Sequence, residues 1–75
     1  MTTTTTQDVH VTEIGAVAGE VWHYLERHGE QTLAQIKKGV PRSADTITMA
    51  LGWLAREGKI QFVLQGRVKK VALNR

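Results

Sequence analysis

Cysteine is absent from the 75-residue chain, which excludes a disulfide framework and a zinc site with thiolate ligands. No apolar run approaches the roughly 20 residues that a membrane-spanning helix needs. The N-terminus carries a threonine tract, Thr2 to Thr6, where a signal peptide would have a basic and then an apolar segment. We therefore expect a cytoplasmic protein that does not bind membranes.

Residues with catalytic chemistry are also sparse. Glu20 and His23 are close enough in sequence to touch one metal ion, but no further carboxylates occur at a suitable spacing. Gly15 and Gly19 do not match the spacing of a phosphate-binding loop, and no candidate nucleophile has an evident base. We predict that the protein is not an enzyme and uses no cofactor, metal or small-molecule ligand.

Charge is divided unevenly along the chain. Residues 1–36 contain one basic and five acidic side chains, a net charge of −4, whereas residues 37–75 contain nine basic and two acidic ones, a net charge of +7. Such asymmetry favours a surface suited to an anionic partner. The simpler interpretation is that uneven charge keeps a small protein soluble.

The chain is short enough for one small domain. We expect a disordered threonine-rich tail over 1–10 and a single domain over 11–75. From Thr12 to about Gly29, apolar residues recur at steps of three and four, which predicts a helix. Its inner stripe consists of Ile14, Val17, Ala18, Val21 and Leu25.

Two further helices follow. Thr32 and Gln35 have the spacing of a capping box and start a short helix, which the segment Gly39-Val-Pro41 ends. Ser43 is the predicted N-cap of a third helix, which ends at Gly58. The inner stripe of this helix consists of Ile47, Ala50, Leu51 and Leu54.

The C-terminal region is rich in residues that favour β-strands. Lys59 to Leu64 and Arg67 to Leu73 predict an antiparallel hairpin around Gln65-Gly66. A two-residue turn at this position would pair Ile60 with Val71 and Phe62 with Lys69.

The order helix, helix, turn, helix, hairpin is that of the winged helix-turn-helix fold. The string MALGWLAREGKI, with IGAVAGEVWHYL upstream, resembles a small prokaryotic winged helix-turn-helix family of uncharacterised function. The resemblance covers residues 12–73. It implies an α+β domain of three helices followed by a two-stranded antiparallel wing, and a role in DNA binding and transcription regulation.

The outer face of the third helix departs from what DNA reading requires. Bases in the major groove are distinguished by hydrogen-bond donors and acceptors. Thr48 can make one such contact and Arg56 can reach phosphate, but Met49 and Gly52 carry no side-chain donor. The resemblance therefore implies the fold without implying a set of base-reading residues.

Met49, Gly52 and Trp53 favour a different use of this helix. Glycine permits close approach, methionine packs adaptably, and tryptophan is a favoured interface anchor. These residues suit a protein interface, such as a homodimer seam. Two alternatives remain: Trp53 folds back over the first helix or the wing, or it stacks on an unpaired base.

Nucleic-acid binding through the phosphate backbone, with double-stranded DNA as the partner, is the leading prediction. Basic residues in the wing and near the turn would give affinity without sequence specificity. The simpler explanation is that these basic residues prevent edge-to-edge aggregation of the hairpin. The alternative function is protein–protein interaction. The predicted nucleic-acid-binding residues are Lys37, Lys38, Arg42, Thr48, Arg56, Lys59, Arg67, Lys69 and Lys70.

Overall fold

A computed structural model describes the backbone of residues 2–74 and the side chains of residues 11–74. The elements are α1 (Thr2–His28), β1 (Gln31–Thr32), α2 (Leu33–Gly39), α3 (Ala44–Arg56), β2 (Ile60–Gln65) and β3 (Val68–Leu73). The strands form one antiparallel sheet in the order β1-β3-β2. This is the predicted α+β winged helix-turn-helix architecture.

The core forms where the predicted apolar stripes of α1 and α3 meet the sheet. Ile14 is only partly buried, whereas the other stripe residues are buried together with Ile36, Val40, Ile60 and Val71. Burial of these side chains supplies most of the free energy that holds such a small domain together. The core positions the outer faces of α2, α3 and the wing.

The first helix is longer than predicted, since its backbone is helical from Thr2 rather than from Thr12. The predicted disordered tail over 1–10 lies outside the residues whose side chains the structure describes. No helix in the described part of the chain has the length and apolar character needed to cross a membrane.

Both predicted N-caps are formed. The Thr32 hydroxyl accepts a hydrogen bond from the Gln35 amide at 3.1 Å, and the Gln35 side chain accepts one from the Thr32 amide at 2.8 Å. Ser43 Oγ accepts from the Thr46 amide at 3.1 Å. These bonds satisfy amides at the helix starts and so fix where the turn between α2 and α3 lies.

Strand β1 was not predicted. Gln31 and Thr32 pair with Val71 and Lys70 of β3, so the sheet has three strands and not the two of a simple wing. Two residues are too few to show the alternation that identifies a strand. Thr32 also carries the capping box, and that signal indicates a helix start rather than a strand.

The predicted register of the hairpin was wrong. Ile60 pairs with Leu73 and Phe62 with Val71, and the two-residue turn is Gly66-Arg67. Gly66 has a φ of 62°, as the first central residue of a type II′ turn requires. The turn therefore lies one residue later than expected. Pairing shifts by two residues, and each side chain keeps its predicted face.

Candidate nucleic-acid interface

The last turn of α2 presents two exposed cations. Ile36 is buried in the core, and this orientation turns Lys37 and Lys38 toward solvent. Both lysines lie next to the segment that leads into α3. Their position at a helix C-terminus also stabilises α2, because cations interact favourably with the negative end of the helix dipole.

Arg42, in the turn before α3, is held by α1. Its Nε and Nη2 atoms donate to the two Glu20 carboxylate oxygens at 3.0 and 2.6 Å. These hydrogen bonds lower the pKa of Glu20 and raise the pKa of Arg42. The sequence predicted Arg42 as a phosphate ligand, but its charge is largely matched by this bidentate contact.

The basic residues of the wing are spread over two faces. Lys69 pairs with Leu64 and Lys70 with Val63, so adjacent lysines project to opposite sides of the sheet. Lys69 is on the face that carries the helices, as is its neighbour Val71. Lys70 Nζ lies 3.8 Å from a carboxylate oxygen of Glu30. Lys59 and Arg67 are exposed at the two ends of β2.

The outer face of α3 is exposed, and it has few groups that could read bases. Thr48 Oγ1 donates to the Ala44 carbonyl at 2.9 Å, so the hydroxyl proton is used within the helix. Met49 is 45% exposed and Gly52 has no side chain. Asp45, at the start of the helix, adds a negative charge. Arg56 is the exposed cation of this helix and lies in its last turn.

Trp53 lies at the edge of α3 and faces a groove between α3 and α1. The groove has a volume of about 560 Å³, and Gly15, Gly19 and Trp22 line its α1 side. Trp53 is 41% exposed, so it turns toward α1 without being covered by it. A Cβ added at Gly15 or Gly19 would meet no atom within 4 Å beyond the backbone of its own helix and its two chain neighbours. The two glycines therefore add open space to the α1 side of the groove.

Two apolar side chains of the wing are exposed that sequence reasoning did not single out. Phe62 is 46% exposed and Leu64 is 70% exposed. Both belong to the face that carries the helices, yet they lie beyond the core. The alternation of β2 predicted which face they share. It could not predict that the core ends at Ile60.

The arrangement offers exposed positive charge from three elements. Exposed cations lie at the end of α2, in the last turn of α3 and along the wing. Within residues 11–74, no three histidine or acidic side chains lie close enough together to hold a metal ion. Flexible lysines on an exposed surface contact phosphate oxygens as point charges.

A protein-family model matches most of the chain. The model described as "Winged helix-turn-helix domain (DUF2582)" matches residues 7–73. The chain is also 45% identical over 62 residues to Uncharacterized protein MJ1608 of Methanocaldococcus jannaschii. That alignment covers 79% of this chain and 86% of the archaeal protein.

Solved structures are also similar in fold. Protein BT2368 of Bacteroides thetaiotaomicron superposes with a TM-score of 0.76 at 29% identity, over 83% of this chain and 76% of that one. HlyU of Vibrio cholerae superposes with a TM-score of 0.63 over 100% of this chain and 83% of its own. Its sequence identity of 15% means that this second likeness concerns the fold alone.

Proposed function

Because the chain belongs to the DUF2582 family of winged helix-turn-helix domains, we propose that it binds double-stranded DNA and acts in transcription regulation. The observation that carries the proposal is the exposed set of cations on the wing and on α2. Wings of this fold commonly contact the phosphate backbone, and the first helix of a helix-turn-helix unit, here α2, crosses that backbone. The residues that remain most available for phosphate are Lys37, Lys38, Arg56, Lys59, Arg67 and Lys69.

The proposed binding is dominated by the phosphate backbone. Backbone contacts set affinity and orientation, whereas base contacts set sequence preference. Met49 and Gly52 offer no donor or acceptor from their side chains, and the Thr48 proton is used within α3. The same protein should therefore bind duplexes of different sequence with similar affinity, and DNA shape would supply what preference remains.

An amide-resolved NMR titration with a random-sequence duplex at low salt tests this proposal. Shifts that concentrate at 37–42 and 59–70 and reverse on adding salt would support it. A single-stranded oligonucleotide of the same sequence is the control, because stacking on Trp53 would favour the unpaired strand. If the duplex produces no shifts at low salt, the proposed function is wrong.

Protein–protein interaction is the second candidate function. It is supported by the exposure of Met49 and Trp53 around Gly52, where an added Cβ would meet nothing within 4 Å. These residues would bind a partner protein or a second copy of the chain. Trp53→Ala should then abolish the association while the circular dichroism spectrum is unchanged. A wild-type chain that stays monomeric and captures no partner would contradict this role.

A further inference from the structure

Strand β2 forms an open edge of the sheet. The strand order β1-β3-β2 leaves one side of β2 without a neighbouring strand in the described part of the chain. Proteins usually protect such an edge with a charged residue, a proline or a bulge. The strand reads IQFVLQ and has none of these, and its pairing with β3 is continuous from Ile60 to Gln65.

The backbone of β2 directs hydrogen-bonding groups toward this edge. The Asn74 amide donates to the Lys59 carbonyl at 2.9 Å, which shows that Lys59 directs its backbone toward β3. In an antiparallel pair, alternate residues point their amide and carbonyl to the same side. Gln61, Val63 and Gln65 therefore bond to β3, whereas Phe62 and Leu64 direct their N–H and C=O groups away from it.

The side chains along the same edge are apolar and uncovered. Phe62 and Leu64 pair with Val71 and Lys69, and they project on the face that carries the helices. They are 46% and 70% exposed. The opposite face of β2 presents Gln61, Val63 and Gln65, none of which is charged. The edge thus combines unsatisfied backbone groups, an apolar face and no charge.

We propose that β2 pairs antiparallel with β2 of a second copy of the chain about a two-fold axis. The two three-stranded sheets would join into one, with the helices of both copies on the same face. Phe62 and Leu64 of each copy would fill the space between the two helical layers. The contact is isologous, so it closes at the dimer and leaves no free β2 edge.

Charge selects the register of this pairing. Centring the axis on Phe62 places Phe62 opposite its own copy and Lys59 opposite Gln65. Centring it on Val63 would place Lys59 opposite Arg67, and like charges directly opposite each other are destabilising. The backbone permits both registers, because Phe62 pairs with its own copy in the first and with Leu64 in the second, and both residues direct their N–H and C=O groups to the edge. The charges therefore decide between them.

The test is the mass in solution of the wild type and two lysine variants, measured by light scattering. Leu64→Lys puts a charge on the edge face, and Val68→Lys puts the same charge on a side chain that is 46% exposed and points to the opposite face. We expect about twice 8.3 kDa for the wild type and for Val68→Lys, and 8.3 kDa for Leu64→Lys. Circular dichroism should show the same fold in all three.

Hydrogen exchange tests the same proposal on the wild-type chain alone. In the wild type, the Phe62 and Leu64 amides should become more protected as protein concentration rises. A wild type of 8.3 kDa at millimolar concentration would overturn the proposal. A dimer that survives Leu64→Lys but is lost in Trp53→Ala would also overturn it, and would place the seam on α3. Neither result bears on DNA binding, which the duplex titration tests separately.

Discussion

Arg42 has one anionic partner within the chain and would need to exchange it to bind DNA. Within the chain it is held by both carboxylate oxygens of Glu20, and in a DNA complex a phosphate would need the same guanidinium. The intramolecular contact links the turn before α3 to α1, so it also orients the helix-turn-helix unit. Glu20 therefore contributes to the domain while reducing the charge available to a ligand.

Glu20→Gln should raise affinity for duplex DNA. The substitution weakens the hold on Arg42 and frees its guanidinium for phosphate. At low salt we expect a gain of about two- to five-fold, measured by fluorescence anisotropy, since one more phosphate contact releases about one more counterion. Glu26→Gln is the matched control because it removes the same charge from the same helix, where Glu26 faces His23 instead. Equal gains in both variants would mean that only net charge matters.

The same pair makes stability depend on pH. The hydrogen bonds from Arg42 lower the pKa of Glu20 in the folded chain, so the carboxylate stabilises the fold above the pKa of an unfolded glutamate, about 4.3. This contribution is lost as pH falls through the lowered pKa. The urea midpoints of wild type and Glu20→Gln should differ slightly at neutral pH and converge in strong acid. A difference in urea midpoint that persists in acid would mean that side-chain packing, and not the charge of Glu20, causes the difference.

Lys69 and Lys70 should differ in their effect on DNA binding. Lys69 lies on the face that carries the helices, whereas Lys70 faces the other way beside Glu30. Lys69→Glu should weaken duplex affinity by about ten-fold at low salt, and Lys70→Glu by clearly less. The two variants have the same net charge, so each serves as the control for the other. Equal losses would show that the wing acts only through its overall charge.

At the scale of elements, local signals predicted much of the structure. The capping box of Thr32 and Gln35 and the Ser43 N-cap identified two helix starts, because each depends on residues close in sequence. The order of elements and the inner stripes followed from periodicity. The hairpin register was missed because Gln65-Gly66 and Gly66-Arg67 are both plausible turns, and only the second agrees with the pairing that the sheet adopts.

The site was less predictable than the fold. The sequence identified the cations, but it could not show which of them have partners. Arg42 and Glu20 are 22 residues apart, and their contact depends on how the turn packs against α1. The pairing of Lys70 with Glu30 depends on β1, which was too short to predict. Contacts between elements that are distant in sequence therefore determine which of the predicted cations remain available to a phosphate.

Two glycines at helix positions should respond in opposite ways to alanine. At Gly39, the last residue of α2, an added Cβ would overlap the ring of Tyr24, so Gly39→Ala should destabilise by about 1–3 kcal/mol. At Gly52 the space is open, so Gly52→Ala should stabilise α3 by about 0.5–1 kcal/mol. Urea denaturation measures both effects. Destabilisation by Gly52→Ala would mean that another chain packs against this position.

At the scale of the whole molecule, the division of charge is partly cancelled by folding. The acidic N-terminal half supplies Glu20 and Glu30, and these carboxylates face Arg42 and Lys70 of the basic half. Folding thus places acidic side chains of α1 and of the following loop beside two of the residues that were predicted to bind phosphate. The remaining cations are on α2, at the end of α3 and along the wing.

The salt dependence of DNA binding should reflect this cancellation. Each neutralised phosphate contributes about −0.9 to the slope of log affinity against log salt concentration. With Arg42 and Lys70 engaged, we expect a slope of about −3 to −5, corresponding to roughly three to six contacts. Anisotropy titrations across a series of salt concentrations measure it. A slope near zero would contradict binding through phosphate.

The groove between α1 and α3 has a consequence for spectroscopy. The sequence contains two tryptophans, Trp22 and Trp53, and both line this groove. Intrinsic tryptophan emission therefore samples one small region of the molecule and carries no direct information about the tip of the wing. An emission change without a change in circular dichroism would report that something has entered the groove or that α3 has moved against α1. A ligand that bound only to the tip of the wing would leave the emission unchanged.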